Sequence, residues 1–146
     1  MLMRCEYNAN LQIANMPGND KPIYAELSYK ITGILFTVHN ELGKYRNEQQ
    51  YADAVENYLK RYGIHYEREK IIPGSFVGEL SGRNKIDFLI ENKIILELKA
   101  KRVLSKEDYY QTKRYLAAFK KKLALLVNFR DSYLKSKRIL NAAVDE

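Results

Sequence analysis

Two short apolar runs, residues 86–90 and 94–100, stand only three residues apart, and this spacing constrains the chain more than any other feature. A connector as short as Glu91-Asn92-Lys93 returns a strand antiparallel to itself, so the runs read as a β-hairpin. A helical stretch over 105–121 follows, with Ser105 as its N-cap. Next comes a continuous apolar run, 123–129, which reads as a buried strand. Strand, helix and strand in that order imply a right-handed parallel crossover, so the sheet is mixed.

Two helices are expected ahead of the hairpin. Leu27, Ile31, Ile34, Leu35, Val38 and Leu42 recur at helical spacing, and Gly43 is placed to end that helix in a left-handed cap. Tyr51, Val55, Tyr58 and Tyr62 make the stripe of the second helix, with Gly63 at its stop. Residues 66–72 read as a strand closed by Pro73-Gly74, and 76–80 as a further strand before a Ser81-Gly82 turn. Residues 132–143 are expected to form a short helix or a loose tail. The expected class is α/β, a mixed central sheet of four to five strands flanked by helices. Residues 1–22, with Pro17-Gly18-Asn19-Asp20 and Pro22, read as a peripheral or mobile arm, and 23–146 as a single domain.

The 146 residues are 46% hydrophobic, enough for one core. Lys plus Arg number 25 against 18 Asp plus Glu, and the net charge of +7 suits a polyanion such as nucleic acid. The single cysteine, Cys5, rules out an internal disulfide and is not read as a nucleophile. No run reaches the ~18 apolar residues of a membrane span, and the N-terminus lacks the apolar core of a secretory signal. The cytoplasm is the expected location. Most of the twelve tyrosines sit at helical core spacing and are not read as a base-stacking platform.

Three charges interrupt the hairpin. Glu97 and Lys99 are two apart on one strand and share a face, and Asp87 on the other strand is placed to lie beside Glu97. Buried charge needs a partner, and adjacent carboxylates repel unless a cation lies between them. Oxygen donors of this kind suit Mg²⁺ or Mn²⁺, with the Leu98 carbonyl as a further ligand and Lys99 orienting an attacking water. The same spacing also describes a solvent-facing Glu97–Lys99 pair. Spacing alone leaves both readings open.

The run from Asp87 through Glu97 and Lys99, followed by a helix, resembles the PD-(D/E)xK phosphodiesterase superfamily, with Ile86 where the motif has proline. Leu27-Ser28-Tyr29-Lys30-Ile31, Val38-His39-Asn40-Glu41-Leu42-Gly43 and Glu48-Gln49-Gln50-Tyr51 are similar to the GxxExxY family within it. Leu126-Val127-Asn128-Phe129 and Lys137-Arg138 resemble that family's C-terminal end. The resemblance covers about residues 24–140. Tyr45 replaces the motif's opening glycine. The resemblance implies a restriction-endonuclease-like core, a divalent-metal site at Asp87, Glu97 and Lys99, and a nuclease acting on DNA ahead of RNA.

It also implies that Glu48 completes the acidic cluster; the plainer reading is a first-turn glutamate favoured by the helix dipole behind an Asn47 N-cap. Gln111 and Tyr115 resemble the QxxxY element of RecB-like nucleases, which puts Gln111 near the site. His39 is weighed as a general acid or metal ligand against a helix-terminal histidine bonded locally, and the latter is preferred. Lys101, Arg102, Lys113 and Arg114, then Lys120-Lys121-Lys122, offer a track for phosphates or simply a solvated face. The competing functions are a nucleic-acid-binding module without catalysis and a homodimeric interaction protein.

Overall fold

The computed structural model describes residues 22–74, 76–80, 82 and 84–144. Cys5 and the expected arm, Pro22 apart, lie outside the described residues. Helices α1 (Ala25–Leu42) and α2 (Glu48–Arg61) lead into strands β1 (Tyr66–Ile71), β2 (Lys85–Ile90) and β3 (Ile94–Lys99). Helix α3 (Lys106–Phe119) then crosses to β4 (Leu123–Asn128), and β5 (Ser136–Leu140) closes the order. The strands lie side by side in chain order, β1-β2-β3-β4-β5.

β3 and β4 pair parallel and every other neighbour antiparallel, which is the mixed sheet that the hairpin and the crossover predict. The hairpin turn places Glu91 (φ 53°) and Asn92 (φ 54°) in the left-handed region, the geometry that matches strand twist in a tight connection. Apolar side chains cover both sheet faces. Ile31, Leu35, Val55 and Leu59 pack on one face against Phe88, Leu96 and Val127. On the other, Tyr115 and Leu116 cover Leu89, Ile95 and Leu126. Each such buried aliphatic side chain stabilises the fold by about 1.5–3 kcal/mol.

Four local expectations need correction. Residues 76–80 do not form a strand: Glu79 N–H bonds to the Phe76 carbonyl in a turn, and β1 pairs directly with β2. Phe76, Val77 and Leu80 are consequently exposed, an apolar run without a strand partner. The tail over 132–143 contains β5, which pairs with the outer edge of the fully buried β4 and satisfies backbone groups that edge would otherwise leave open. Gly43 has φ 75° but ψ −163°, outside the left-handed helical cap and in a region open essentially to glycine. In α2 the inward stripe is Tyr51, Ala52, Val55 and Leu59, and Tyr62, one residue past the helix, is 61% exposed.

Candidate active site

The ladders on both sides of β2 give way at Asp87. β2 pairs with β3 through Ile90↔Ile94, Leu89↔Ile95 and Phe88↔Leu96, and the next position, Asp87, has no ladder partner. On its other side, β1 pairs Arg68↔Phe88 and Lys70↔Ile86, again passing over Asp87. Its would-be partner there, Glu69, has φ 54°, a left-handed conformation rare for a non-glycine residue in a strand.

Side chains take over the bonds the ladder lost. Asp87 N–H donates to Glu97 Oε1 at 2.9 Å, and Leu98 N–H donates to Asp87 Oδ2 at 2.7 Å. The two carboxylates are thereby fixed against one another across the gap. Glu97 is only 3% exposed. Burial, then the neighbouring Asp87 charge, pushes its carboxyl up to about 8. Burial raises Asp87 as well, opposed by the Leu98 N–H bond and by Lys99, and reinforced by Glu48.

Helix α2 brings Glu48 to the same place. Asn47 caps the helix by accepting from Gln50 N–H at 2.9 Å, and the Gln50 side chain accepts from Asn47 N–H at 3.0 Å. Tyr51, fully buried, stacks on Phe129 at 4.1 Å between ring centroids and holds the preceding loop through its hydroxyl. Glu48, in that first turn, accepts from Ala100 N–H at 3.3 Å just past the end of β3. Glu48, Asp87 and Leu98 line one cleft of about 30 Å³, together with Arg68 and Glu69. That is the space of about one water molecule.

On the sheet face that it shares with Glu97, Lys99 Nζ donates to Gln111 Oε1 at 3.3 Å. Tyr115, one turn further along α3, is pushed up to about 12 by burial and then by the Glu97 and Asp87 charges. The alternative of a solvent-facing Glu97–Lys99 pair does not describe this site, because Glu97 is buried and the Lys99 ammonium is bonded to Gln111.

The expected row of cations divides. Lys101 Nζ is bonded to both oxygens of Asp108, at 3.2 and 2.9 Å, and Lys113 Nζ donates to the Leu140 carbonyl at 2.6 Å. These two side chains are engaged by the fold itself. Arg102 and Arg114 are exposed. Lys120 is the C-cap of α3, and Lys121 Nζ donates to Asn92 Oδ1 at 3.1 Å, so that triplet is not simply a solvated face. His39 Nε2 bonds to the Asp131 carbonyl at 2.8 Å, tying α1 to the turn after β4 rather than bonding locally.

Arg68 and Glu69 escaped the sequence reading. Both sit in a strand of alternating exposure, where charged residues are ordinary, and only the break at Asp87 turns them towards the acids. Arg68 bonds to Asp53 at 2.8 Å, to Glu56 at 3.0 Å and to Gln49 at 3.1 Å, which anchors β1 to α2. Among the described residues no three His, Cys, Asp or Glu side chains form a ready-made metal cage. The donor set fits Mg²⁺ nonetheless, because that ion is commonly held by one or two carboxylates and keeps several waters.

A mixed five-stranded sheet between helices, its ladders giving way at an acid pair with a lysine nearby, defines the restriction-endonuclease-like α/β class. The family model of the PD-(D/E)XK nuclease superfamily matches residues 25–139, and the chain belongs to that superfamily. Nucleases of the superfamily act on nucleic acid and generally use divalent metals. No curated protein and no solved structure matches the chain. Among the described residues no helix is long and apolar enough to cross a membrane.

Proposed function

We propose that this protein hydrolyses phosphodiester bonds in nucleic acid, DNA ahead of RNA, with Mg²⁺ or Mn²⁺ held at Asp87 and Glu97. One observation carries the reading: the β1 ladder skips Asp87 and the β3 ladder ends beside it, and the side chains that meet there are two mutually repelling carboxylates, that of Glu97 buried. Asp87, Glu97 and the Leu98 carbonyl would hold the ion, with Glu48 completing the acidic wall. When bound, the ion would offset charge on a phosphate oxygen and acidify water. Lys99, steadied by Gln111, orients the attacking water. Arg102 and Arg114 meet flanking phosphates, while Lys101 and Lys113 act there through the segments they brace. The resemblance at 27–31, 38–43 and 48–51 supports the GxxExxY family as this chain's branch of the superfamily.

The test is to offer single-stranded, duplex and branched DNA and RNA with Mg²⁺ or Mn²⁺. Metal-dependent cleavage by the wild type, lost in Lys99→Ala, is expected. Wild type and Lys99→Ala matching each other, with no cleavage of any substrate, would sink the reading.

A second reading has its own observation. Each carboxylate of the pair accepts a backbone N–H, so the acids also serve as replacements for missing ladder bonds. A binding module without catalysis would keep them for that purpose. It predicts salt-sensitive nucleic-acid binding that is unchanged by Glu97→Gln.

A further inference from the structure

The loop entering α2 carries an aromatic side chain that the acidic centre does not use. Tyr45 is 79% exposed, although the backbone around it is firmly held. The Tyr51 hydroxyl donates to the Gly43 carbonyl on one side and accepts from Arg46 N–H, at 3.2 Å, on the other. An exposed ring on a rigid base buries nothing in the core.

Two cations flank that ring. Lys44 Nζ lies 5.5 Å from its centroid and Arg130 Cζ lies 5.8 Å from it. Both are set by the fold: Arg130 Nε donates to the Lys44 carbonyl at 2.7 Å, and Lys44 Nζ donates to Ser132 Oγ at 2.9 Å. Among the described residues none of Lys44, Arg46, Arg102 and Arg130 joins a salt bridge; those formed are Arg68 with Asp53 and Glu56, Lys70 with Glu67, and Lys101 with Asp108. Their charge remains available to an anion.

The platform is continuous with the acidic centre. Glu48, three residues after Tyr45, accepts from Ala100 N–H. Asn128 Oδ1, at the end of β4, accepts from Lys101 N–H at 3.0 Å and from Arg130 N–H at 3.3 Å. Its Nδ2 donates to the Lys101 carbonyl at 2.7 Å. One hydrogen-bonded band thus runs across the ends of β3 and β4, from the acids to the ring.

We infer that Tyr45 is a stacking site for an unpaired base of a nucleic-acid strand running through the acidic centre, with Lys44 and Arg130 meeting the adjoining phosphates. This rests on the nucleic-acid reading above and deepens it, because an aromatic face stacks only on a base free of its own stack. The substrate it selects has a single-stranded portion. The departure from the glycine of the GxxExxY motif is what supplies the ring.

The experiment measures binding of the full chain, without divalent metal, to a short single-stranded DNA carrying 2-aminopurine and to a blunt duplex of the same sequence. Tyr45→Ala should weaken single-strand binding about tenfold and lose the fluorescence quenching that reports stacking, while duplex binding stays within about twofold. Tyr45→Phe should keep both signals. Single-strand binding and quenching by Tyr45→Ala equal to wild type would overturn the inference. So would Tyr45→Phe failing as Tyr45→Ala does, or equal weakening on duplex and single strand. Wild type that binds neither nucleic acid would remove the nucleic-acid reading along with it. Intact wild-type binding with an unaffected Tyr45→Ala removes the stacking site alone.

Discussion

Asp108 and Glu97 are both buried acids, 7% and 3% exposed, yet their surroundings differ in kind. Asp108 occupies the third position of α3 in a capping box with Ser105. It accepts from Ser105 N–H at 2.8 Å, from Ser105 Oγ at 3.0 Å and from the Lys101 ammonium. Burial alone would raise it, but these donors outweigh burial and hold its carboxyl below the usual range. Glu97 accepts one backbone N–H and faces a second acid, and the Lys99 ammonium is bonded to Gln111. The fold neutralises the first acid from its own donors. It leaves the second without a neutralising donor, the environment that the proposed metal site requires.

The sharpest way to break this contrast is to neutralise each acid in turn. Glu97→Gln and Asp87→Asn should each lower Mg²⁺-dependent cleavage by about 10³-fold, since several kcal/mol of charge stabilisation at the phosphate would go with the ion. Steady-state cleavage of a labelled oligonucleotide measures this. Asp108→Ala acts on the fold instead. It removes the α3 cap and strands Lys101, and urea unfolding should report a loss of about 2 kcal/mol. In metal-free buffer at about pH 9, above the value of about 8 at which Glu97 ionises, Glu97→Gln should move the other way, gaining about 1 kcal/mol, because the amide keeps the Asp87 N–H bond and loses the like charge. If Glu97→Gln destabilised the metal-free chain as Asp108→Ala does, the two acids would be equivalent and the contrast would fail.

The smallest effect is in pH. The folded-state pKa of Asp108 is depressed below the ordinary aspartate value, so its contribution is present in full above the unfolded value and is lost as pH falls through the folded one. The stability gap between wild type and Asp108→Ala should therefore narrow as pH drops from about 5 towards 2. Paired urea titrations across that range measure it, and a gap independent of pH would show that the Asp108 charge is not what matters.

The hairpin, the crossover helix and the shared position of Asp87 and Glu97 were legible because each depends on local rules: connector length, a period of two, a capping serine followed by a helical stripe. β5 was illegible because only Ile139 among its five residues is buried, so an edge strand left no periodic trace. Residues 76–80 misled for the opposite reason, since apolar β-formers make a strand only where a neighbour supplies the ladder. Lys101 and Lys113 looked like phosphate contacts because sequence shows a charge but not its partner. Tyr45 stood out in the sequence as the replacement for the motif's glycine, but its exposure and its flanking cations belong to the fold.

Alternation and short connectors dictate strand pairing and face, so the mixed sheet and the placing of its acids follow from residue order. What those acids experience follows from the folded arrangement. Desolvation, like-charge repulsion and the count of reachable donors depend on segments far apart in the chain: Glu48 against Ala100, Lys99 against Gln111, Arg130 against Lys44. Those distances made Asp108 a structural anchor and left the Asp87–Glu97 pair without a neutralising partner of its own.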